Sequence, residues 1–272
     1  MRRILERFLP RKFGGPGRER LPVYYFHRVP NIGDQLTPWL IRRFGFEPVL
    51  TKPRSGPHLL AIGSVLQLAN RNSHVWGSGL IGGDSGGGGL LARNVYAVRG
   101  KLTYRRLCEQ GLKLADVPFG DPAFLVPRFL AVPTQGAKTY RAGIAAHYVD
   151  RDAPWVRDVL RNPDFVDLDV HLPVEEFVAR LTSCEAVISS SLHGLVLAEA
   201  FSISNVWIEL SAGVRGAGFK FRDWFSLAGH PQTQPMLPHA DIASILSRAA
   251  LHEFVIDCDA LAAAFPGKVL AH

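Results

Sequence analysis

The chain has 272 residues, 47% hydrophobic and 20% charged, a balance that supplies packed cores and excludes bulk disorder. A net charge of +7 and a pI near 9.6 favour an acidic partner, but no helix-turn-helix pattern, zinc spacing or aromatic-basic interleaving points to nucleic acid. The three cysteines Cys108, Cys184 and Cys258 are too far apart for a metal or redox pair and indicate a reducing compartment.

Residues 1–20 form a basic tail in which Arg2, Arg3, Arg7, Arg11 and Lys12 interleave with Ile4, Leu5, Phe8 and Leu9. Two readings stay open: a solvated tail, or a short amphipathic helix resting on an anionic membrane surface. The tail lacks the apolar core and cleavage site of a secretory signal. No apolar run reaches the roughly 18 residues that span a bilayer. The expected location is the cytoplasm, with peripheral contact at the inner membrane face if the tail binds.

Val23–Phe26 reads as a strand, Asn31-Ile32-Gly33-Asp34 as a turn, and Leu36, Trp39, Leu40 and Phe44 as one helix face closed by Gly45. Thr37-Pro38 suits an N-cap followed by proline at the first helical position, with Asp34 as a competing cap. Leu59–Gly63, His74–Gly77 and Val95–Val98 read as strands, Val65–Ala69 as a short helix, and Leu102–Gln110 as a helix capped by Gly111. The glycine-dense stretch Ile81–Gly89 lacks the spacing of a nucleotide-binding loop and has no lysine where one is needed, so it reads as a flexible loop. Asp121-Pro122 is a turn signal. Pro133–Lys138 is the best linker.

A second alternating series follows: strands at Ala142–Ala146 and Phe165–Leu168, helices at Val156–Leu160 and Val174–Thr182. Ala186–Ser189 is an apolar strand, and Leu192, Leu195, Val196 and Ala200 then recur at helical spacing. A strand at Asn205–Leu210 and helices at Asp241–Leu251 and Cys258–Phe265 close the chain. The expected fold class is therefore α/β, with two Rossmann-like doubly wound domains, residues 21–132 and 139–272, facing each other across a cleft.

Ser190 or Ser191 is a natural N-cap, which puts His193 in the first turn of a helix that follows a strand. Backbone N–H groups and the positive end of the helix dipole converge there. Such a place suits a phosphate or carboxylate, and a histidine in it can serve as acid or base or simply close the helix end. His147, at the end of a strand in the second domain, is either a cleft residue or a satisfied loop histidine. The histidines do not pair at metal-ligand spacing with carboxylates or cysteines, so no metal is expected.

Several segments together resemble the polysaccharide pyruvyl transferases. They are Asn31-Ile32-Gly33-Asp34, Gly63-Ser64-Val65-Leu66, Val75-Trp76-Gly77-Ser78-Gly79, Val98-Arg99-Gly100-Lys101-Leu102-Thr103, Gly120-Asp121-Pro122 and Ser189-Ser190-Ser191-Leu192-His193-Gly194. Phe219-Lys220-Phe221-Arg222-Asp223 adds a Lys-aromatic-x-Asp segment, and within the family the phrasing looks most like the xanthan ketal pyruvate transferases. The resemblance implies a glycosyltransferase B-like fold, phosphoenolpyruvate as donor substrate with no cofactor, and a glycan or lipid-linked oligosaccharide as acceptor. The product would be a pyruvate ketal.

On that resemblance His193 and Arg99 are the expected catalytic pair, an imidazole and a guanidinium gripping one dianion in the groove between lobes. Many family members have arginine two places before the histidine, where this chain has Ser191, so a second cation must come from Lys220 or Arg222, with Lys101 behind them. Ser189, Ser190, Ser191 and Gly194 complete the expected donor site. Asn31, Gly33, Asp34 and His147 are the expected acceptor or cleft residues. Two other functions compete: a non-catalytic glycan-binding scaffold on the same fold, and a nucleotide-sugar glycosyltransferase.

Overall fold

In the computed structural model, residues 17–271 are described except 54–55, 85, 87, 131–137 and 239–240. The basic tail up to residue 16 and nearly all of the expected linker lie outside the described residues.

Short apolar strands build two all-parallel sheets. The first contains β1 (Arg20–Tyr24), β2 (Glu47–Leu50), β3 (His58–Leu60), β4 (Ser73–Trp76) and β5 (Val95–Ala97), in the spatial order β2-β1-β3-β4-β5. The second contains β6 (Tyr140–Ala145), β7 (Phe165–Asp167), β8 (Cys184–Ser189) and β9 (Ser204–Trp207), in the order β7-β6-β8-β9. Helices cover the sheets, so central strands such as His58-Leu59-Leu60 are buried throughout. The strand β2 escapes a sequence reading because it is a half-exposed edge strand containing Pro48, a residue that edges tolerate.

The helices are α1 (Ile32–Arg43), α2 (Lys101–Glu109), α3 (Pro154–Val159), α4 (Val174–Thr182), α5 (Leu192–Ala200), α6 (Phe219–Phe225), α7 (Ile242–Leu246), α8 (Cys258–Ala263) and α9 (Gly267–Leu270). A 3-10 stretch, Pro122–Arg128, follows Asp121, whose carboxylate caps the Ala123 N–H at 3.0 Å. The helix α1 begins earlier than the Thr37-Pro38 signal predicts. Asn31 is its N-cap, accepting the Asp34 N–H at 3.2 Å, and Asp34 is not the cap. Pro38 lies inside the helix, where it withholds the N–H that the Asp34 carbonyl would otherwise accept.

One hydrophobic core joins the two sheets. Ile32, Leu36 and Leu40 from α1 belong to the same buried cluster as Leu192, Leu195 and Val196 from α5 and Ala123, Leu125 and Val126 from the 3-10 stretch. Full burial stabilises each large aliphatic side chain by about 1.5–3 kcal/mol, so these contacts hold the sheets firmly against each other. Polar links reinforce them. The Ile32 N–H donates to the Val170 carbonyl at 2.6 Å and Trp39 Nε1 to Glu175 at 2.7 Å.

Of the closing helices, α7 packs on β8 of the second sheet, whereas α8 and α9 pack on the first unit. Trp76 Nε1 on β4 donates to the Leu261 carbonyl in α8 at 2.8 Å, and the Phe265 ring sits 4.5 Å from Phe44 and 4.8 Å from Trp76. Among the described residues, no helix is long and apolar enough to cross a membrane.

Candidate functional site

In a parallel sheet, ligands bind beyond the carboxyl ends of the strands where the strand order reverses. The first sheet reverses between β1 and β3, the second between β6 and β8. Both reversal points open into one cavity of about 630 Å³. After β1 and β3 the chain contributes Asn31, Asp34 and Ser64 to its wall; after β6 and β8 it contributes His147, Ser191 and His193. Lys220 from α6 completes the lining.

His193 is held from two sides. Its Nε2 lies 3.4 Å from Asp121 Oδ2, and both atoms are buried without another hydrogen-bond partner. Opposite, the ring packs closely against Gly33: a Cβ there would fall 2.1 Å from Nδ1. Glycine is required at position 33 by this close approach, whereas the sequence shows it only as part of a turn. In the sequence Asp121 is a turn signal and part of one segment of the family resemblance, with no partner indicated. Its second oxygen makes it the residue that orients the imidazole, a role that only the folded chain brings about.

The serine run is mostly scaffold. Ser189 Oγ lies 2.9 and 2.7 Å from the Ala145 and Ser191 carbonyls and accepts the Ser191 N–H. Ser190 Oγ donates to Asp150 at 3.0 Å and accepts the His147 N–H at 2.9 Å, so it pins the β6 and β8 loops together. Gly194 allows the first turn of α5 to press on the strand ends, since a Cβ would meet Ser189 Oγ at 2.4 Å. Ser191 alone of the three serines lines the cavity. It is the N-cap of α5 but makes no side-chain cap bond, which leaves the N–H groups of that turn for a bound anion.

Burial in the cavity wall lowers the Lys220 ammonium to about 8; Arg99 pushes the same way, against Asp34 and Asp150. Burial takes His147 down to about 3, with Lys220 adding to it, so this imidazole is neutral. Burial raises Asp34 to about 6, opposed by the Asn31 hydrogen bond and by His193, Lys220 and His27. Arg28 and Arg215 are exposed at the cavity lining. These two cations and Tyr148 carry no sequence signal, because loops that are distant in the chain bring them together.

Two expected donor ligands point elsewhere. Arg99 is fully buried beneath the cavity wall: its Nε donates to Asp223 at 2.9 Å, Nη1 to Ser64 Oγ at 2.6 Å and Nη2 to the Leu80 carbonyl at 2.7 Å. Arg99, expected to meet His193 on one ligand, is not part of the cavity lining in this structure, because Asp223 holds the guanidinium inside the protein. Arg222 donates to the Ala217 carbonyl at 2.6 Å and closes its own turn. Of the glycine-dense stretch Ile81–Gly89, Ile81 lines the cavity and the described glycines do not. No three His, Cys, Asp or Glu side chains gather as metal ligands among the described residues.

A family model described as polysaccharide pyruvyl transferase matches residues 51–211, a span that includes Arg99, Asp121, His147 and His193. The uncharacterized protein L143 of Acanthamoeba polyphaga mimivirus is 25% identical over 235 residues, covering 80% of this chain and 77% of that protein. The succinoglycan biosynthesis protein ExoV of Rhizobium meliloti (strain 1021) is 24% identical over 237 residues, covering 81% of this chain and 69% of that protein.

Proposed function

Because the chain belongs to the polysaccharide pyruvyl transferase family, we propose that it moves the enolpyruvyl group of phosphoenolpyruvate onto a sugar of an exopolysaccharide or its lipid-linked repeat, forming a pyruvate ketal. In this reading the two sheets are the Rossmann-like lobes of a glycosyltransferase B-like arrangement. The observation that carries the proposal is the convergence of His193, Lys220 and the uncapped first turn of α5 on one cavity at both sheet reversals.

The donor carries a carboxylate and a phosphate on an enol carbon. Lys220, Arg28 and Arg215 supply the positive charge, and the α5 N–H groups supply directed donors. His193 stands where a proton must reach the donor. With Nε2 turned toward Asp121, the other ring nitrogen carries the transferable proton. Protonation of the methylene carbon makes the central carbon electrophilic; two sugar hydroxyls add to it in turn and phosphate departs.

The purified protein should release phosphate from phosphoenolpyruvate only when a suitable glycan is present. Release without glycan, or no donor binding at millimolar concentration, overturns the proposal; the latter favours the scaffold reading. Inhibition by a nucleoside diphosphate sugar would favour the glycosyltransferase reading. The setting we propose is the cytosolic face of a membrane. If removing residues 1–19 leaves liposome co-sedimentation unchanged, the basic tail is not the anchor.

A further inference from the structure

Beside the main cavity a second one of about 320 Å³ opens along α1, and Phe26 and Asp34 line both. The two cavities differ in charge. The main one carries Lys220, Arg28 and Arg215, none of them in an ion pair among the described residues. In the side cavity Arg42 is paired with Glu47 at 3.1 Å and Arg43 with Glu175 at 2.7 Å, so its wall is close to neutral.

The side cavity is also built from rings. Trp39 is a buried core ring that backs one wall, bonded to Glu175 and covered by the Arg43 guanidinium 3.3 Å above it, so the open aromatic surface of this cavity comes from the other rings. Tyr25, Phe26 and His27 form another. Phe26 is half-buried yet joins none of the core clusters among the described residues, so its ring is not there to fill the interior. Aromatic faces with a few fixed polar groups suit a neutral ligand that has apolar C–H faces and many hydroxyls, which describes a pyranose ring.

We propose that the side cavity seats the acceptor sugar and that Asp34, at the junction of the two cavities, is the catalytic base for the attacking hydroxyl. This rests on the pyruvyl transfer reading above. Asp34 faces Asn31 on its own helix end, His193 from α5, Lys220 from α6 and His27 from the loop after β1. Its carboxyl, raised to about 6 chiefly by burial, is a better base near neutral pH than His147 at about 3.

The step balances as follows. The first hydroxyl oxygen bonds to the central carbon of the donor while its proton passes to Asp34 and His193 gives a proton to the methylene carbon. Phosphate leaves with the electron pair of its C–O bond. The second hydroxyl closes the ketal, and its proton goes to phosphate. Solvent then reprotonates His193 and takes the proton from Asp34. Of the two hydroxyl protons, one is accounted for on the new methyl group and one on phosphate.

The test uses the full-length protein, phosphoenolpyruvate, and a panel of p-nitrophenyl hexosides with a free 4,6-diol. Asp34→Asn should keep donor affinity by calorimetry, lose about 10²-fold or more in kcat, and lose the acid limb near pH 6 from its kcat/KM profile. Gln35→Trp, which fills the side cavity, and His27→Ala, at an exposed rim position, should raise the hexoside KM without changing donor affinity. Saturation-transfer NMR without donor should lose the hexoside signal in Gln35→Trp. Wild-type turnover with Asp34→Asn within threefold overturns the base assignment, and unchanged hexoside binding in Gln35→Trp overturns the sugar site; in both cases pyruvyl transfer stands. A wild type that turns over none of the hexosides and binds no donor overturns pyruvyl transfer and this inference together.

Discussion

Asp223 and Asp121 are both fully buried, and each faces a basic side chain from the other half of the chain. Asp223 is saturated. One oxygen accepts the Thr103 N–H at 2.7 Å, and the other accepts Arg99 Nε at 2.9 Å and Thr103 Oγ1 at 2.7 Å. Asp121 spends one oxygen on a cap and turns the other to His193 across 3.4 Å, with no further partner at either end. Burial is common to the two pairs, so burial does not distinguish scaffold from chemistry. Satisfaction does: every nitrogen of Arg99 and both oxygens of Asp223 have a protein partner, whereas an under-bonded pair beside a cavity can change its protonation during a reaction.

The sharpest way to break this contrast is to remove one member of each pair. His193→Ala should lower kcat by about 10²–10⁴-fold; it also leaves the buried Asp121 carboxylate without its neighbour, so the melting midpoint should fall, but by less than for the Asp223 change because the 3.4 Å pair is not hydrogen-bonded. An activity within tenfold of wild type would take His193 out of the chemistry. Asp223→Ala should instead destabilise the fold by about 3–5 kcal/mol, because it leaves the Arg99 charge buried and unpaired. A shift in the urea midpoint measures this.

Smaller effects sharpen the comparison. Gly33→Ala must displace the His193 ring, since the new methyl would lie 2.1 Å from Nδ1; overpacking of this kind costs about 1–3 kcal/mol, and kcat should fall more than donor affinity does. Asp121→Asn keeps the cap on Ala123 but weakens the hold on the imidazole. We expect a loss of about tenfold in kcat, with a shifted pH profile and little change in stability. Finally, Lys220 titrates near 8. Its charge is complete below that pH and falls as pH rises through it, so donor affinity should weaken between pH 7 and 9. Lys220→Met should show weak binding with a flatter pH dependence.

Much of the scaffold was legible before folding. Short β-rich runs alternating with helical periodicity specify parallel α/β units, and Val174–Thr182 is a helix with the bounds that its periodicity predicts. The turn from β8 into α5 was legible for the same reason: Ser189 through Gly194 form a local strand–turn–helix signal that needs no distant partner. Local competition explains the misreading of α1. Thr37-Pro38 and Asp34 both look like helix starts, and the buried packing of Ile32 and Gly33 against the second unit moves the start back to Asn31.

The sequence by itself determined the α/β class, the family and the place of His193 at a helix start, because each is written in residues adjacent in the chain. Only the tertiary structure decided that Arg99 belongs to the interior, that Asp121 and Gly33 position the imidazole, and that Asp34 stands between two cavities. Those roles depend on contacts between residues dozens of positions apart, where an arginine's partner is whichever carboxylate the packing brings within 3 Å. Asp223 reached Arg99 at 2.9 Å, and that contact removed the guanidinium from the site.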